Sequence, residues 1–184
     1  RTEIINLRAI LALPKATEFF LSDIHGEFDA FHYFVRSGSG MIRMRIDEVF
    51  GDILTESERD DLASLIYNPE AEMNRREKSE GDFDAWCKVV IRRLLAICRI
   101  VSNKYTRSKV KKRLPVFSSY IMDELLFADN VLDRHKYYDE IIDTIIEYDA
   151  AKEFIVDITE TIANVVVDRL HIIGDIFDRG PKSH

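Results

Sequence analysis

The sequence predicts an α/β chain: two short parallel strands, far apart along the chain, with a large and mainly α-helical insertion carried between them. Three observations lead there. Residues 17–22 and 170–173 are short, nearly continuous apolar runs of the kind that parallel strands show. Each run ends in a turn that bears glycine and metal-ligating side chains, Ser22-Asp23-Ile24-His25-Gly26 in the first and Gly174-Asp175-Ile176-Phe177-Asp178-Arg179-Gly180 in the second. Between them apolar residues recur at steps of three and four, the period of helices. The expected divisions are residues 1–38 as the first piece of an α/β core, 39–166 as the helical insertion, and 167–184 as the second strand with its turn.

Taken in order, residues 1–13 space Ile4, Leu7, Ile10 and Leu11 as a helix does, and Pro14 ends it. Strand one follows at 17–22. Gly26 opens a second helix, in which Phe28, Phe31, Phe34 and Val35 form one apolar face, expected to pack on the sheet, and Gly38 stops it. From Gly40 onward helix follows helix. Thr55-Glu56-Ser57-Glu58 is a capping box whose helix must end before Pro69. Asp82 can cap the next, where Phe83, Trp86, Val90, Leu94, Ile97 and Val101 trace one face as far as Tyr105. Residues 118–127 make a short helix, and 136–167 at least two more. A parallel crossover needs a dozen residues or more, normally one right-handed helix; this one is far larger and must bury a core of its own. A sheet left with an uncovered face predicts self-association or marginal solubility, and a homo-oligomer is expected.

Composition narrows the class. The chain has 184 residues, 46% of them hydrophobic and 10% aromatic, which argues against disorder. A net charge of −7 makes nucleic acid a poor partner. No apolar run reaches the eighteen residues of a membrane span, and the first thirteen residues are too weakly apolar for a secretory signal, which leaves the cytoplasm. Cys87 and Cys98 fall in one predicted helix, about 16 Å apart, beyond disulfide reach, and read as reduced core thiols. The basic run Arg107-Ser108-Lys109-Val110-Lys111-Lys112-Arg113 reads as a solvated face; the alternative is that it binds an anionic regulator or lines the approach of a doubly phosphorylated ligand.

The chemistry sits in the two turns. If the strands lie side by side, Asp23, His25 and Asp175 meet at their C-terminal tips, where open α/β sheets place ligands. Two carboxylates and one imidazole suit Mn²⁺, Mg²⁺ or Fe²⁺ better than the sulfur-rich surroundings of structural Zn²⁺. Phosphate-ester hydrolysis is very slow in water, so catalysis must come from neutralising charge and orienting the attacking water. Paired cations do both, and Asp175 is placed to bridge them. Arg179 offers a guanidinium fork suited to phosphate. The three fixed positions of Asp-x-His-Gly arise by accident with probability on the order of 0.02 in such a chain, whereas the five of Gly-Asp-x-x-Asp-Arg-Gly do so about once in ten thousand. The pair therefore outweighs the bland readings of Asp23 as an N-cap, His25 as a surface residue, Asp175 as a turn former and Asp178-Arg179 as a local ion pair. His32 and His135 lack acidic neighbours at metal spacing and read as surface or core residues, His171 within the second strand is expected to be absorbed in packing, and His184 supports no assignment.

Asp-x-His followed by Gly-Asp-x-x-Asp-Arg resembles the calcineurin-like metallophosphoesterases, whose later motifs are Gly-Asn-His-(Asp/Glu) and two further histidines. The interval of about 150 residues between His25 and Asp175, with Leu21-Ser22-Asp23-Ile24-His25-Gly26-Glu27, Gly38-Ser39-Gly40 and the stretch from Leu170 to Pro181, is similar to one branch, the class III fructose-1,6-bisphosphatases of bacteria. That resemblance implies manganese as the metal, Arg179 on the substrate phosphate, and Asp178 orienting a catalytic histidine. It also implies hydrolysis of fructose 1,6-bisphosphate to fructose 6-phosphate in gluconeogenesis. The later motifs do not occur in these 184 residues, so the expectation is an N-terminal part that is inactive alone, the dinuclear centre forming only in the complete enzyme. A protein or nucleotide phosphatase, and a non-catalytic helical assembly module, stand as alternatives.

Overall fold

The computed structural model describes residues 1–127 and 134–178. Helix α1 (Thr2–Leu11) buries no residue and leaves Ile4, Ile5, Leu7 and Leu11 on the surface. Strand β1 (Glu18–Ser22) leads through a tight turn into α2 (Phe28–Ser37). The insertion then runs through α3 (Met41–Phe50), α4 (Glu56–Tyr67), α5 (Pro69–Ser79), α6 (Phe83–Ser102), α7 (Arg107–Lys111), α8 (Ser119–Phe127), α9 (His135–Glu147) and α10 (Ala151–Val166), before β2 (Arg169–Ile173). The architecture is mostly helical with one small two-stranded parallel sheet.

The insertion has its own core, as its size requires. Ile91, Leu94 and Ile97 of α6 are fully buried, as are Ile155, Ile158 and Ile162 of α10, and Ile42, Ile46, Ile66 and Met122 join them from the surrounding helices. Local sequence chemistry sets the helix ends. Thr55 Oγ1 accepts from the Glu58 amide at 3.3 Å while the Glu58 carboxylate accepts from the Thr55 amide at 2.9 Å, a closed capping box. Asp82 accepts from the Ala85 amide at 2.9 Å and so starts α6. Cys87 and Cys98 are free and buried within that helix, and burial pushes both thiols up to about 12, which makes them unreactive.

The two strands pair in parallel, with Glu18 opposite Arg169 and Ser22 opposite Ile173. Their burial departs from the sequence expectation. Side chains alternate across a strand, so Phe19 and Leu21 face α2, where the Phe19 and Phe34 rings lie 6.0 Å apart. On the opposite face Phe20 is 65% exposed and Ile173 60%. His171 stacks on Phe20 at 4.6 Å and its Nε2 lies 3.1 Å from Glu18, so it is held on that open face and not absorbed in a core. The aromatic stripe of α2 is likewise only half covered: Phe31 and Phe34 are partly buried, Phe28 and Val35 exposed. Among the described residues only one face of this two-stranded sheet is covered, so an apolar run does not here mean a buried strand.

Two contacts fix the sheet to the helices. Gly38 ends α2 in the left-handed region, and a Cβ there would sit 3.0 Å from Val166 at the end of α10. The second contact lies at the base of the strands, where Asp168 gathers a buried network. Its Oδ2 accepts from the Thr17 amide at 2.8 Å and from Lys104 Nζ at 2.7 Å, and its Oδ1 accepts from the Tyr105 hydroxyl. Lys104 also donates to the Val166 carbonyl at 2.9 Å, and Arg113 to Tyr105 Oη at 3.1 Å. The Lys104 and Asp168 side chains are 7% and 9% exposed. Burial alone would raise the Asp168 carboxyl, but the bonds from Lys104, Tyr105 and the Thr17 amide outweigh it and hold the group below its ordinary 3.8. For Lys104 burial prevails over the carboxylate and draws the ammonium below its usual range.

Replacing Asp168 with Ala strands the Lys104 ammonium in that site and is expected to cost about 3–5 kcal/mol. Urea denaturation at neutral pH measures it. Because the folded carboxyl lies below its unfolded value, the Asp168 contribution is complete above 3.8 and is lost as pH falls through the depressed folded value; the variant should lack that part of the acid transition.

Candidate metal centre

The pairing of the strands continues past their ends into the two turns. The amides of Ile24 and His25 both donate to the Asp175 carbonyl, at 2.8 and 3.2 Å, and the Gly26 amide donates to the Ile176 carbonyl at 2.9 Å. In return the Asp175 amide donates to Asp23 Oδ1 at 3.1 Å. Four hydrogen bonds thus clasp residues 23–26 to 175–176. The clasp demands unusual backbone: Asp23 and His25 have φ of +45° and +49°, a region that costs L residues about 1–3 kcal/mol each. Asp tolerates that region better than most, and Gly26 beside it has φ +66°. Two of the four non-glycine residues with positive φ among the described residues, Asp23 and His25, are thus candidate ligands.

Three acidic or imidazole side chains of the two turns lie close together. His25 Nδ1 lies 2.8 Å from Asp178 Oδ1 across 153 residues of chain. His25, Asp175 and Asp178 each present one donor atom, all within 4.8 Å of one another. Asp23 is in the same place but differently used: its carboxylate is turned onto the Asp175 amide and is not one of those three. Arg179 lies outside the described residues. The centre is open to solvent, with the His25 and Asp178 side chains 32% and 45% exposed. One imidazole with oxygen donors is a set that fits a divalent cation such as Mn²⁺, Mg²⁺ or Fe²⁺.

The remaining candidates lie elsewhere. His32 stacks on Phe28 at 5.6 Å on the flank of α2, and His135 opens α9. The basic run lies mostly on the surface, with Val110 buried beneath it; Arg107, itself exposed, donates to both Asp123 oxygens at 2.9 and 3.2 Å, and Arg113 to the Asn164 carbonyl at 3.0 Å. The hydrogen bonds and charge of Arg107 hold the Asp123 carboxyl below its usual range. Sequence reasoning missed Asp168, Lys104 and Tyr105 as the support beneath the centre. The only available signal was an acidic residue just before a strand, which is common.

A protein-family model described as "Firmicute fructose-1,6-bisphosphatase" matches residues 1–184. The chain is 55% identical over 183 residues to "Fructose-1,6-bisphosphatase class 3" of Clostridium acetobutylicum, covering 99% of this chain and 28% of that protein. The proteins of the same name from Clostridium novyi and Alkaliphilus metalliredigens are each 52% identical over 181 residues, covering 98% of this chain and 27% of theirs. The chain thus spans little more than a quarter of the length of these relatives, 27–28%. No solved structure matches it.

Gly174, at φ +119°, is where the clasp leaves no room: a Cβ there would run into Asp23 Oδ1 and stand 3.2 Å from the Asp23 amide nitrogen. Gly174→Ala should therefore part the turns and destabilise the chain by about 1–3 kcal/mol. Hydrogen exchange would report it as lost protection at the Ile24 and Gly26 amides, with the α6 amides unaffected.

Proposed function

This chain belongs to the Firmicute fructose-1,6-bisphosphatase family, and we propose that it carries the first half of the active centre of a metal-dependent sugar phosphatase. The reaction is hydrolysis of fructose 1,6-bisphosphate to fructose 6-phosphate and phosphate, and the setting is gluconeogenesis in the cytoplasm. On this reading β1 and β2 are two strands of a calcineurin-like metallophosphoesterase core contributed by residues 1–38 and 167–184, and residues 39–166 are the helical insertion. The observation that carries it is the clasp at the strand tips, which sets His25 and Asp175 together from opposite ends of the chain.

Asp23, His25 and Asp175 are the metal-holding set. A divalent cation bound there, Mn²⁺ by family resemblance, would neutralise phosphate charge and acidify the attacking water. The chain's own residues do the rest. Asp175 sits on the strand tip nearest the partner turn, where a carboxylate can bridge. Asp23, by accepting from the Asp175 amide, holds the two turns at fixed separation. By family resemblance Arg179 is assigned to the substrate phosphate, through its bidentate fork, and Asp178 to the orientation of the later catalytic histidine. Openness to solvent leaves Asp23, His25, Asp175 and Asp178 accessible to a phosphorylated sugar.

Calorimetric titration with Mn²⁺ tests this directly. The chain should take up the ion at a site that Asp23→Ala and Asp175→Ala each remove while helix content is retained; a folded chain that takes up none would overturn the reading. Phosphate release from fructose 1,6-bisphosphate should be far slower for this chain than for a full-length relative, and equal rates would refute its being a partial centre.

A further inference from the structure

We propose that the cleft between α2, α4, α5 and α10 is a binding site for a small zwitterion of the basic α-amino acid class. Arg36 takes the ligand's carboxylate, and Glu70 and Glu160 take its two cationic groups. The cleft shares no residue with the strand-tip turns, and its occupancy does not depend on the metal-centre reading.

The cleft has a volume of about 810 Å³, within the roughly 300–1,000 Å³ of small-ligand sites. Its charges do not balance internally. The arginines of α3, α4 and α5 each meet a carboxylate: Arg43 meets Asp47 and Asp60, Arg45 meets Glu48, Arg59 meets Asp47, Arg75 meets Glu72 and Arg76 meets Glu80. Arg36, half-buried in the wall of the cleft, meets none among the described residues. Its guanidinium donates from Nη2 to the Ile66 carbonyl at 3.3 Å, and its buried Nε has no partner. A guanidinium drawn out of water without an anion is costly, so Arg36 is half of an ion pair whose other half is a ligand. Helix α5 adds to the same potential: its N-cap Asn68 makes no side-chain cap bond and Pro69 follows at its start, so the positive end of its dipole opens on the cleft. Negative charge is also left over. Glu70 and Glu160 line the cleft without a cationic partner among the described residues, whereas Asp60 and Glu72 are taken by Arg43 and Arg75. A simple anion would meet Arg36 but be repelled by both glutamates, and a simple cation would leave Arg36 unpaired. One free cation and two free carboxylates match a ligand that carries one carboxylate and two cationic groups. Tyr33 and Tyr67 stand edge to face at 5.6 Å and give a wall on which an aliphatic stem or a cationic head can lie. Burial pushes the Tyr67 hydroxyl above its usual range, so it stays a neutral hydrogen-bonding group.

Calorimetric titration of the intact chain with L-arginine and with L-lysine tests the site, with agmatine, which is arginine without its carboxylate, and inorganic phosphate as comparators. L-arginine or L-lysine should bind with one-to-one stoichiometry and more tightly than either comparator. Arg36→Met, which keeps the aliphatic stem, should weaken that binding about tenfold or more and bring L-arginine down to the level of agmatine. Glu160→Gln and Glu70→Gln should each weaken L-arginine and leave phosphate no weaker. Amide shifts in ¹H–¹⁵N spectra should fall on α2, the start of α5 and the facing side of α10. The proposal is overturned if neither amino acid binds, if agmatine binds as well as L-arginine, or if phosphate binds in an Arg36-dependent way while the amino acids do not, which would make the cleft a plain anion site. Circular dichroism checks that each variant is folded. Should Arg36→Met fail to fold, the agmatine comparison and the substitution of the exposed Glu160 decide the matter by themselves.

Discussion

Everything at the candidate centre depends on the parallel pairing of β1 with β2 and its continuation into the turns beyond. Neither strand has another neighbour among the described residues, and about 150 residues separate them in the chain. Closing a flexible loop of that length costs about 4 kcal/mol or more in chain entropy, more than a two-stranded ladder of five residues can supply. The insertion removes that obstacle by folding around its own core of α6 and α10. Its two exits are thereby held near each other, and pairing becomes a local event. The Asp168 network is what makes the exits meet, because one carboxylate takes hydrogen bonds from Thr17 just before β1 and from Lys104 and Tyr105 just after α6, and belongs to the residue just before β2.

The order of dependence therefore runs from core to base of sheet to tip. Burial of apolar side chains, the dominant stabilising effect, is concentrated in the insertion. Hydrogen bonds of the Asp168 site transmit that stability to the strand bases. Only then can the tips bear residues at positive φ. Asp23 and His25 would not hold those dihedrals in a free loop; four bonds to residues 175 and 176 hold them there. Gly174 shows the tolerance involved, since the space a methyl group would need is taken by the carboxylate that braces the facing turn.

Much of this was legible in the sequence, and what was not has physical reasons. Helix starts carried by a single side chain were readable: Thr55 with Glu58, and Asp82, cap as their spacing requires. The parallel pair was readable because both apolar runs end in the same kind of turn. Helix α3, by contrast, opens on Gly40 with no side-chain cap and only two buried residues, and α5 is nearly polar throughout, so neither advertises its limits. The break between α9 and α10 rests on Asp149 at φ +55°, a position where glycine is the usual signal. At the candidate centre, His25 and Asp175 lie close together. The inward turn of Asp23 and the bond from His25 to Asp178 depend on how two turns interlock in space, which spacing along one chain does not encode.

The exposed sheet bears on where mobility belongs in this chain. Local opening is governed by the apolar contacts an element must break, and β1, β2 and α1 have few, whereas α6 and α10 have many. The strand tips should therefore open well before the helical core does, carrying the centre with them while the insertion stays folded. An ion bridging residues of both turns would bind the paired state alone and stabilise it by mass action. The clasp and the ion then act on one equilibrium from two sides: the hydrogen bonds bring the donors together, and binding favours the strained backbone that the bonds require. That coupling would account for why the strained Asp23 and His25, a glycine with no room for a side chain, and the candidate metal ligands share the same two turns.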